Sequence, residues 1–428
     1  CLYCAVTGHH PGHGRPYPPR GLRSEGSGST LFLYRSHPDF TSSLALVPER
    51  LGLEPSPSLS DEQWSLAGRR TVFRDLEDLA ERMETRWSEA SKEQRRFVAA
   101  LKAAVLASDV AGSALPRNVT GQDQRTDWLH RAFEVRPTQK QIRDIVECRL
   151  KTVDGQIRSL RPFQRRVAEQ AGDVTFVKAG CGSGKTLAAW HWAAERCPGK
   201  RLYFCYPTTG TATEGYRDYL YDEEEKAGRF GADLFHGRAE VDLERILGVQ
   251  DGTERDREDQ EDPFLRIQSL DAWYTPIVSC TVDTVLGIVQ NHRKGLYTWP
   301  ALAGSAFVFD EIHAYDDRLF GALLAFLEHL PGIPALLMTA SLPRHRLELL
   351  RKVVQKRGCS LAEPESTEDL QSVEARPRYR RVGIGEGDPF ERVRREWESG
   401  GKILWVCNTV RRAMEAWSRA AGGGLNPR

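Results

Sequence analysis

One stretch of this chain constrains its fold more than any other: Ala-Gly-Cys-Gly-Ser-Gly-Lys-Thr at positions 179–186. The run before it, Val174–Lys178, alternates and contains β-branched residues, which predicts a short buried strand. The residues after it, Leu187–Cys197, are good helix formers, and Pro198-Gly199 ends the predicted helix. A glycine loop between a strand and a helix is the setting of a phosphate-binding loop. We therefore expect a nucleotide site; the alternative is a glycine-rich turn with a chance Gly-Lys-Thr.

The residue types of this loop suit both phosphate and metal. At Gly182, Ser183 and Gly184 the chain can bring backbone N–H groups around phosphates. Lys185 adds a positive point charge, and the Thr186 hydroxyl can bind Mg²⁺.

A second signal is an acidic pair at the end of an apolar strand. The run Ala306–Phe309 leads directly into Asp310 and Glu311. An acidic pair at a strand end is often only a turn, but after a phosphate loop Asp310 can hold Mg²⁺ and Glu311 can deprotonate the attacking water. His313 is suited to couple the nucleotide site to a nucleic-acid site. Strands that alternate with helices predict a parallel, doubly wound sheet with its ligand at the carboxyl ends of the strands.

Polar residues beside the other predicted elements add to this site. Gln164 precedes the loop by one short helix and can present both the oxygen and the nitrogen of its side-chain amide to an adenine edge. Thr208 and Thr209 follow the apolar run Leu202–Tyr206, where hydroxyls suit the phosphates of a nucleic-acid strand or simply cap a loop. Hydroxyls at Thr339 and Ser341 stand at the tip of a further predicted strand.

Composition excludes membrane-spanning and disulfide-rich classes. The 428 residues leave room for two or three domains, at about 100–200 residues each. No apolar run approaches the roughly 20 residues of a membrane span, so we expect no membrane partner. A net charge of +1 means that nucleic acid would need a local groove. Nine scattered cysteines indicate reduced thiols and a cytoplasmic protein.

The first hundred residues carry a possible metal site. Cys1 and Cys4 could form a zinc module with later histidines, although a single Cys-x-x-Cys is a weak signal. Alternatively, His9 and His10 face a metal whose other ligands lie elsewhere, or they are surface histidines before a Gly/Pro loop. Asp109 stands at the end of an apolar helix, as a metal ligand or a capping residue. Because the chain begins at Cys rather than Met, we expect it to be a fragment or a processed chain.

In their order along the chain, these motifs resemble superfamily-two DNA helicases. More specifically, Asp-Glu-Ile-His-Ala-Tyr-Asp at 310–316, Thr-Val-Asp at 281–283 and the run 404–413 are similar to the CRISPR-associated helicase–nuclease of type I interference systems. Ala-Val-Thr-Gly-His-His at 5–10 looks like the histidine doublet of that family's HD nuclease domain. The run 107–113 looks like its last metal-binding aspartate, with Ser108 where Ala is usual.

The resemblance implies a set of roles. It implies ATP and Mg²⁺ bound at Gln164, Gly182, Ser183, Gly184, Lys185, Thr186 and Asp310, with Lys185, Asp310 and Glu311 catalytic. It implies a divalent transition metal at His9, His10 and Asp109, coupling through His313, Thr339 and Ser341, and DNA contacts at Thr208, Thr209, Thr281 and Asp283. The implied partners are single-stranded DNA and an RNA-guided surveillance complex.

The expected fold is α/β: a RecA-like parallel doubly wound sheet after a partial all-α HD domain, with the start of a second RecA-like lobe. The expected domains are the C-terminal part of the nuclease domain (1–118), a connector (119–158), the ATP-binding lobe (159–372) and the second lobe (373–428). In the last of these we predict a strand at Lys402–Cys407 and a helix at Thr409–Ala420. The family's earlier nuclease ligands and later helicase motifs are not among the 428 residues, so we expect little activity from the chain alone.

The predicted function is ATP-dependent translocation on single-stranded DNA with metal-dependent cleavage, degrading foreign DNA in type I CRISPR defence. One alternative is an ATP-dependent repair or restriction helicase without a nuclease, which metal content would distinguish. Another is an ATP-binding adaptor that does not process DNA, which stimulation of ATP hydrolysis by single-stranded DNA would distinguish.

Overall fold

A computed structural model describes residues 85–152, 154–235, 269–290, 292–330, 332–375 and 388–425, with short pieces at 30–31, 38, 42, 45, 64–65, 81–82, 266 and 383. Cys1, Cys4, His9 and His10 lie outside the described residues. By internal contacts the chain divides into two units, Cys1–Gln371 and Ser372–Arg428. Each is described by itself.

The first unit is built on a seven-stranded sheet. Its strands are β1 (Val174–Lys178), β2 (Arg201–Tyr206), β3 (Asp233–Phe235), β4 (Ile277–Thr281), β5 (Ser305–Phe309), β6 (Ala335–Thr339) and β7 (Leu361–Ala362). Their spatial order is β7-β1-β6-β5-β2-β4-β3, and every pair is parallel. The predicted parallel sheet is confirmed. Because the strands are parallel, all their carboxyl ends meet at one edge.

The helices of the first unit cover both faces of the sheet. They are α1 (Lys92–Asn118), α2 (Gln122–Glu134), α3 (Gln139–Leu150), α4 (Pro162–Glu169), α5 (Lys185–Arg196), α6 (Thr209–Tyr219), α7 (Val282–Leu286), α8 (Arg293–Tyr297), α9 (Trp299–Leu302), α10 (Asp317–His329), α11 (Arg344–Lys356) and α12 (Glu368–Glu374), the last crossing into the second unit. One core contains buried residues of α3 to α6, and a second contains those of α7, α10 and α11. The sheet is therefore doubly wound, as predicted.

Side-chain alternation along β2 joins these two cores. Leu202 and Phe204 lie in the first core, whereas Tyr203 and Cys205 lie in the second. All six residues of β2 are buried because the strand is central and covered on both faces.

The segment 119–158, predicted to be a connector, contains two helices in the structure. Helix α3 begins with a capping box at Thr138 and buries Ile142 and Ile145 completely against α5. The Nε2 of Gln139 donates to the backbone oxygen of Ala194 in α5 over 3.0 Å. Helix α3 is thus part of the core beneath the helix that follows the glycine loop.

The helical region before the sheet packs through a third core against residues between 270 and 301. Leu106 and Val110 of α1 lie against Trp273 and Tyr297. Among the described residues, α1 is the one helix long and apolar enough to cross a membrane by length and composition, a test that core helices of soluble proteins also pass. Here its apolar residues contribute to this core.

The second unit contains helices α13 (Pro389–Glu398) and α14 (Val410–Gly422), and the predicted helix at Thr409–Ala420 is confirmed. The predicted strand at Lys402–Cys407 is wrong, because residues 401–407 have no regular secondary structure. A strand is defined by its ladder partner, and the described residues of this unit contain no other strand for this apolar run to pair with.

Candidate nucleotide-binding site

The glycine loop connects β1 to α5 at the carboxyl edge of the sheet. Gly182 and Gly184 both have positive φ, 73° and 87°, a conformation that glycine adopts without steric cost. The backbone N–H of Ala179 donates to the oxygen of Thr339 over 2.9 Å, which ties the start of the loop to the end of β6. Gly184 then serves as the N-cap of α5, so the loop ends at a helix N-terminus.

Lys185 and Thr186 follow at the first turn of α5. The Lys185 side chain is only 7% exposed, and its Nζ lies 3.1 Å from Oε1 of Glu311. The Thr186 side chain lies close to that of Tyr219, at the end of α6. The structure therefore places Lys185 in contact with Glu311, the glutamate predicted to be catalytic. The two residues were predicted from separate motifs.

Asp310 directly follows Phe309, the last residue of β5. Its backbone N–H donates to the oxygen of Cys205 in the neighbouring strand, and its Oδ1 accepts the N–H of Glu311 over 2.8 Å. Burial, and secondly the charge of Glu311, raises the pKa of Asp310 to about 6, while Lys185 opposes the shift. The carboxyl group thus lies in a setting where a cation would strongly favour its ionised form.

Glu311 and His313 extend the site towards β6. Glu311 has left-handed backbone angles, φ 47° and ψ 46°, which are rare for a residue with a side chain and are typical of functional sites. Its Oε2 lies 3.2 Å from Nδ1 of His313, which is 3.1 Å from the hydroxyl of Thr339. That hydroxyl donates to the oxygen of Ser341 over 2.7 Å, so Nδ1 of His313 is the donor towards Thr339.

The residues of the loop fit a bound polyphosphate with Mg²⁺. The hydroxyl of Ser183 is buried and has no hydrogen-bond partner within the part of the chain that the structure describes. Lys185 supplies positive charge, and oxygen atoms of Thr186 and Asp310 are the ligands that Mg²⁺ prefers. The donor set is therefore suited to ATP–Mg²⁺.

Gln164 is placed beside the loop. It is 3% exposed; its Oε1 accepts the N–H of Arg161 over 3.0 Å, and its Nε2 donates to the oxygen of Gly184 over 3.3 Å. Its contact with adenine stays a prediction. The guanidinium of Arg161 donates to the backbone oxygen of Ser183. Sequence reasoning missed Arg161, since one arginine in a chain with 60 Lys and Arg residues carries no pattern of its own.

The four predicted DNA contacts lie at the same edge, on the side of β2 and β4. Thr208 caps α6 by accepting the N–H of Thr211, and Thr209 is the first residue of that helix. Thr281 ends β4 directly opposite Tyr206 of β2, and Asp283 is exposed in the first turn of α7. These residues are therefore next to the nucleotide cluster, which is carried by β1, β6 and β5.

Asp109 lies in α1, apart from the glycine loop. Its Oδ2 is 2.6 Å from Nη1 of Arg266, whose side chain is 7% exposed, and the same Nη1 donates to the Ser113 hydroxyl over 3.1 Å. The described residues contain no group of three His, Cys, Asp or Glu side chains that could hold a metal. With His9 and His10 outside the described residues, the transition-metal site stays a prediction.

Comparison with known proteins agrees with the helicase motifs. Residues 161–350 match the model of the DEAD/DEAH box helicase family. A protein of Myxococcus xanthus (strain DK1622), named as a CRISPR-associated nuclease/helicase Cas3, is 44% identical over 415 residues, which are 96% of this chain and 52% of that protein. The CRISPR-associated endonuclease/helicase Cas3 of Thermus thermophilus is 30% identical over 226 residues, 49% of this chain and 23% of its own length.

Solved structures of similar proteins include the crystal structure of T. fusca Cas3 with ADP. It is 23% identical, with a TM-score of 0.34, and the match covers 47% of this chain and 23% of that one. This chain spans about half the length of the M. xanthus relative. The chain is therefore similar to a CRISPR-associated nuclease/helicase over 96% of its own length, and its residues 161–350 are similar to the DEAD/DEAH box helicases.

Proposed function

We propose that this chain is the ATP-hydrolysing part of a single-strand DNA translocase joined to a metal-dependent HD nuclease, which degrades foreign DNA in type I CRISPR defence. The observation that supports the proposal most directly is the convergence of Lys185, Asp310 and Glu311 beside the glycine loop, within a parallel sheet. These groups supply phosphate charge compensation, a metal ligand and a base. Lys185 belongs to one motif, and Asp310 and Glu311 belong to another that lies more than a hundred residues later.

From this geometry we assign each residue a task in ATP hydrolysis. Bound ATP–Mg²⁺ supplies the phosphoryl group and the metal charge. Asp310 and Thr186 would hold the metal, and Lys185 would compensate phosphate charge once it leaves Glu311. Glu311, released from Lys185 but still next to His313, would orient the attacking water and take its proton.

The contacts from His313 to Thr339 and Ser341 provide a route for coupling. They connect His313, two residues after Glu311, with the end of β6, so a movement of Glu311 would be transmitted through His313 to that strand end. We assign DNA contact to Thr208, Thr209, Thr281 and Asp283, at the same edge. Contacts from the three threonine hydroxyls would be to phosphates and hence independent of sequence. The carboxylate of Asp283, which only accepts hydrogen bonds, would instead contact base N–H groups.

The nuclease half of the proposal is supported by the resemblance of the histidine doublet and by the names of the two relatives. His9, His10 and Asp109 would contribute ligands to a divalent transition metal. The domain assignment follows: 1–118 as part of the nuclease domain, 159–372 as the ATP-binding lobe and 373–428 as the start of a second lobe. We further assign the protein to the cytoplasm, in association with single-stranded DNA and an RNA-guided surveillance complex.

The test is stimulation of ATP hydrolysis by single-stranded DNA, in the protein expressed from its complete reading frame. We expect stimulation in the wild type and its loss in Glu311→Gln, which should keep binding ATP because Asp310 and Lys185 remain. Glu348→Gln, an exposed glutamate of α11, is the matched control and should behave as wild type. Hydrolysis without any response to DNA would favour an adaptor, and DNA-stimulated hydrolysis without bound transition metal would favour a repair or restriction helicase.

A further inference from the structure

Two side chains at the start of α4 hold two consecutive carbonyl groups of the glycine loop. Arg161 donates from its Nη2 to the oxygen of Ser183, and Gln164 donates from its Nε2 to the oxygen of Gly184. The two contacts join segments 22 and 20 residues apart in the sequence. The loop is therefore held from outside as well as by its own glycines.

Holding a carbonyl group also orients the next N–H group. In a planar trans peptide, C=O and N–H point in opposite directions. The carbonyl of Gly184 already accepts the N–H of Ala188 over 3.1 Å as the first hydrogen bond of α5, so the helix itself sets that peptide. The Ser183 peptide precedes the helix, and its direction is set by Arg161. Pulled towards Arg161, the Ser183 carbonyl directs the Gly184 N–H away from α4.

The start of α4 is a rigid support for this contact. Phe163 and Val167 are buried in the core shared with α5, and Pro162 occupies the first helical turn. The backbone N–H of Arg161 is itself capped by Oε1 of Gln164 over 3.0 Å. A side chain at position 184 would meet both the Arg161 guanidinium and, at 2.6 Å, Nε2 of Gln164, so the loop packs closely against these two groups.

We propose that Arg161 is a positioning residue for the phosphate loop, which acts on the polyphosphate of a nucleoside triphosphate through the Ser183 peptide and not on the base. The proposal rests on the function proposed above, that the loop binds a nucleotide. Because the Gly184 N–H would contact phosphate whatever base is attached, the contribution of Arg161 is the same for every nucleotide and for the polyphosphate alone.

The experiment measures the affinities of ATP, GTP and inorganic tripolyphosphate with Mg²⁺ by calorimetry, for wild type and Arg161→Met. We expect Arg161→Met to weaken all three by one common factor of about tenfold to a hundredfold, the range for a hydrogen bond from a charged donor. Arg165→Met, an exposed arginine on the same helix, is the matched control and should bind all three as wild type does.

A second variant separates positioning from folding. Arg161→Lys keeps a charged donor and should recover part of the affinity for all three ligands, with the melting temperature of the wild type. Hydrogen exchange of the peptide covering 179–186 should be faster in Arg161→Met, because its loop is no longer held. If Arg161→Met fails to fold, the affinities of Arg161→Lys test the proposal by themselves. The proposal requires that this variant bind ATP, GTP and tripolyphosphate more weakly than wild type by one common factor.

Two results would overturn the proposal: wild-type affinities in the Arg161 variants, or a loss for ATP with GTP and tripolyphosphate unchanged, which would make Arg161 a base contact. A wild-type protein that binds none of the three ligands would instead contradict the proposed nucleotide site itself.

Discussion

Asp310 shows how a residue suited to its function reduces the stability of the fold. Burial raises the pKa of its carboxyl group from 3.8 to about 6. The folded state therefore binds this proton more tightly than the unfolded state does. The free energy of unfolding falls as the pH rises from about 4 to about 6, and at neutral pH the ionised carboxylate destabilises the lobe.

Asp310→Asn should for this reason stabilise the protein at pH 7.5 while removing a proposed ligand of Mg²⁺. The shift of roughly 2 pKa units, at about 1.4 kcal/mol per unit, sets an upper limit of about 3 kcal/mol. Urea unfolding of both proteins at pH 7.5 measures the gain, which should shrink at pH 4.5, where the wild-type carboxyl is protonated. An Asn variant less stable than wild type at pH 7.5 would contradict the account of this site.

Arg161 and Glu311 show what can and what cannot be predicted from the sequence for a single residue. Glu311 could be predicted because it follows Asp310 at the end of an apolar strand. Its left-handed backbone could not, since no residue type at 311 signals it. Arg161 acts through a contact 22 residues away in the sequence, and long-range hydrogen bonds of that kind leave no local pattern.

Among the elements, the glycine loop makes the sharpest prediction. Gly184→Ala should greatly weaken ATP binding, because the new Cβ would meet Arg161 and Gln164 and the backbone has φ 87°. Gly199→Ala is the matched control: its φ is 70°, but nothing lies within 4 Å of its added Cβ. Nucleotide titration should show a loss only in the first variant. An equal loss in both, or in neither, would contradict the packing of the loop described here.

Helix α3 makes a prediction about stability. Ile145→Ala should lower the free energy of unfolding by about 2–5 kcal/mol, as expected for a large side chain removed from a core. Ile157→Ala, at a position 60% exposed, is the control and should change little. Denaturant unfolding checks both. A small effect at position 145 would mean that the segment is the connector expected from the sequence.

The strands separate what sequence can predict from what it cannot. The runs in β1, β2, β4, β5 and β6 were predictable, because buried strands of five or six residues are rich in apolar and β-branched side chains. The edge strands Asp233–Phe235 and Leu361–Ala362 are too short to carry a periodicity. Residues 402–407 show the opposite error, since an apolar run does not specify a pairing partner.

For the whole molecule, the main question is whether the motifs gathered at one edge of the sheet form a working nucleotide site. The M. xanthus relative is matched along 96% of this chain but over only 52% of its own length. Translocation on DNA and DNA cleavage therefore stay proposals for this chain. The proposed binding of ATP–Mg²⁺ would depend on the glycine loop, Asp310 and Lys185, all of which lie within the first unit, so this chain can test it.

The most direct measurement is a calorimetric titration of wild type and Lys185→Ala with ATP in the presence of Mg²⁺. The wild type should bind, and the variant should lose at least about tenfold in affinity, since one charged hydrogen bond to phosphate contributes about 1.5–3 kcal/mol. Circular dichroism should be unchanged, and Lys352→Ala, an exposed lysine of α11, should bind as wild type does. Equal ATP affinity in wild type and Lys185→Ala would contradict the nucleotide site on which this account of the protein rests.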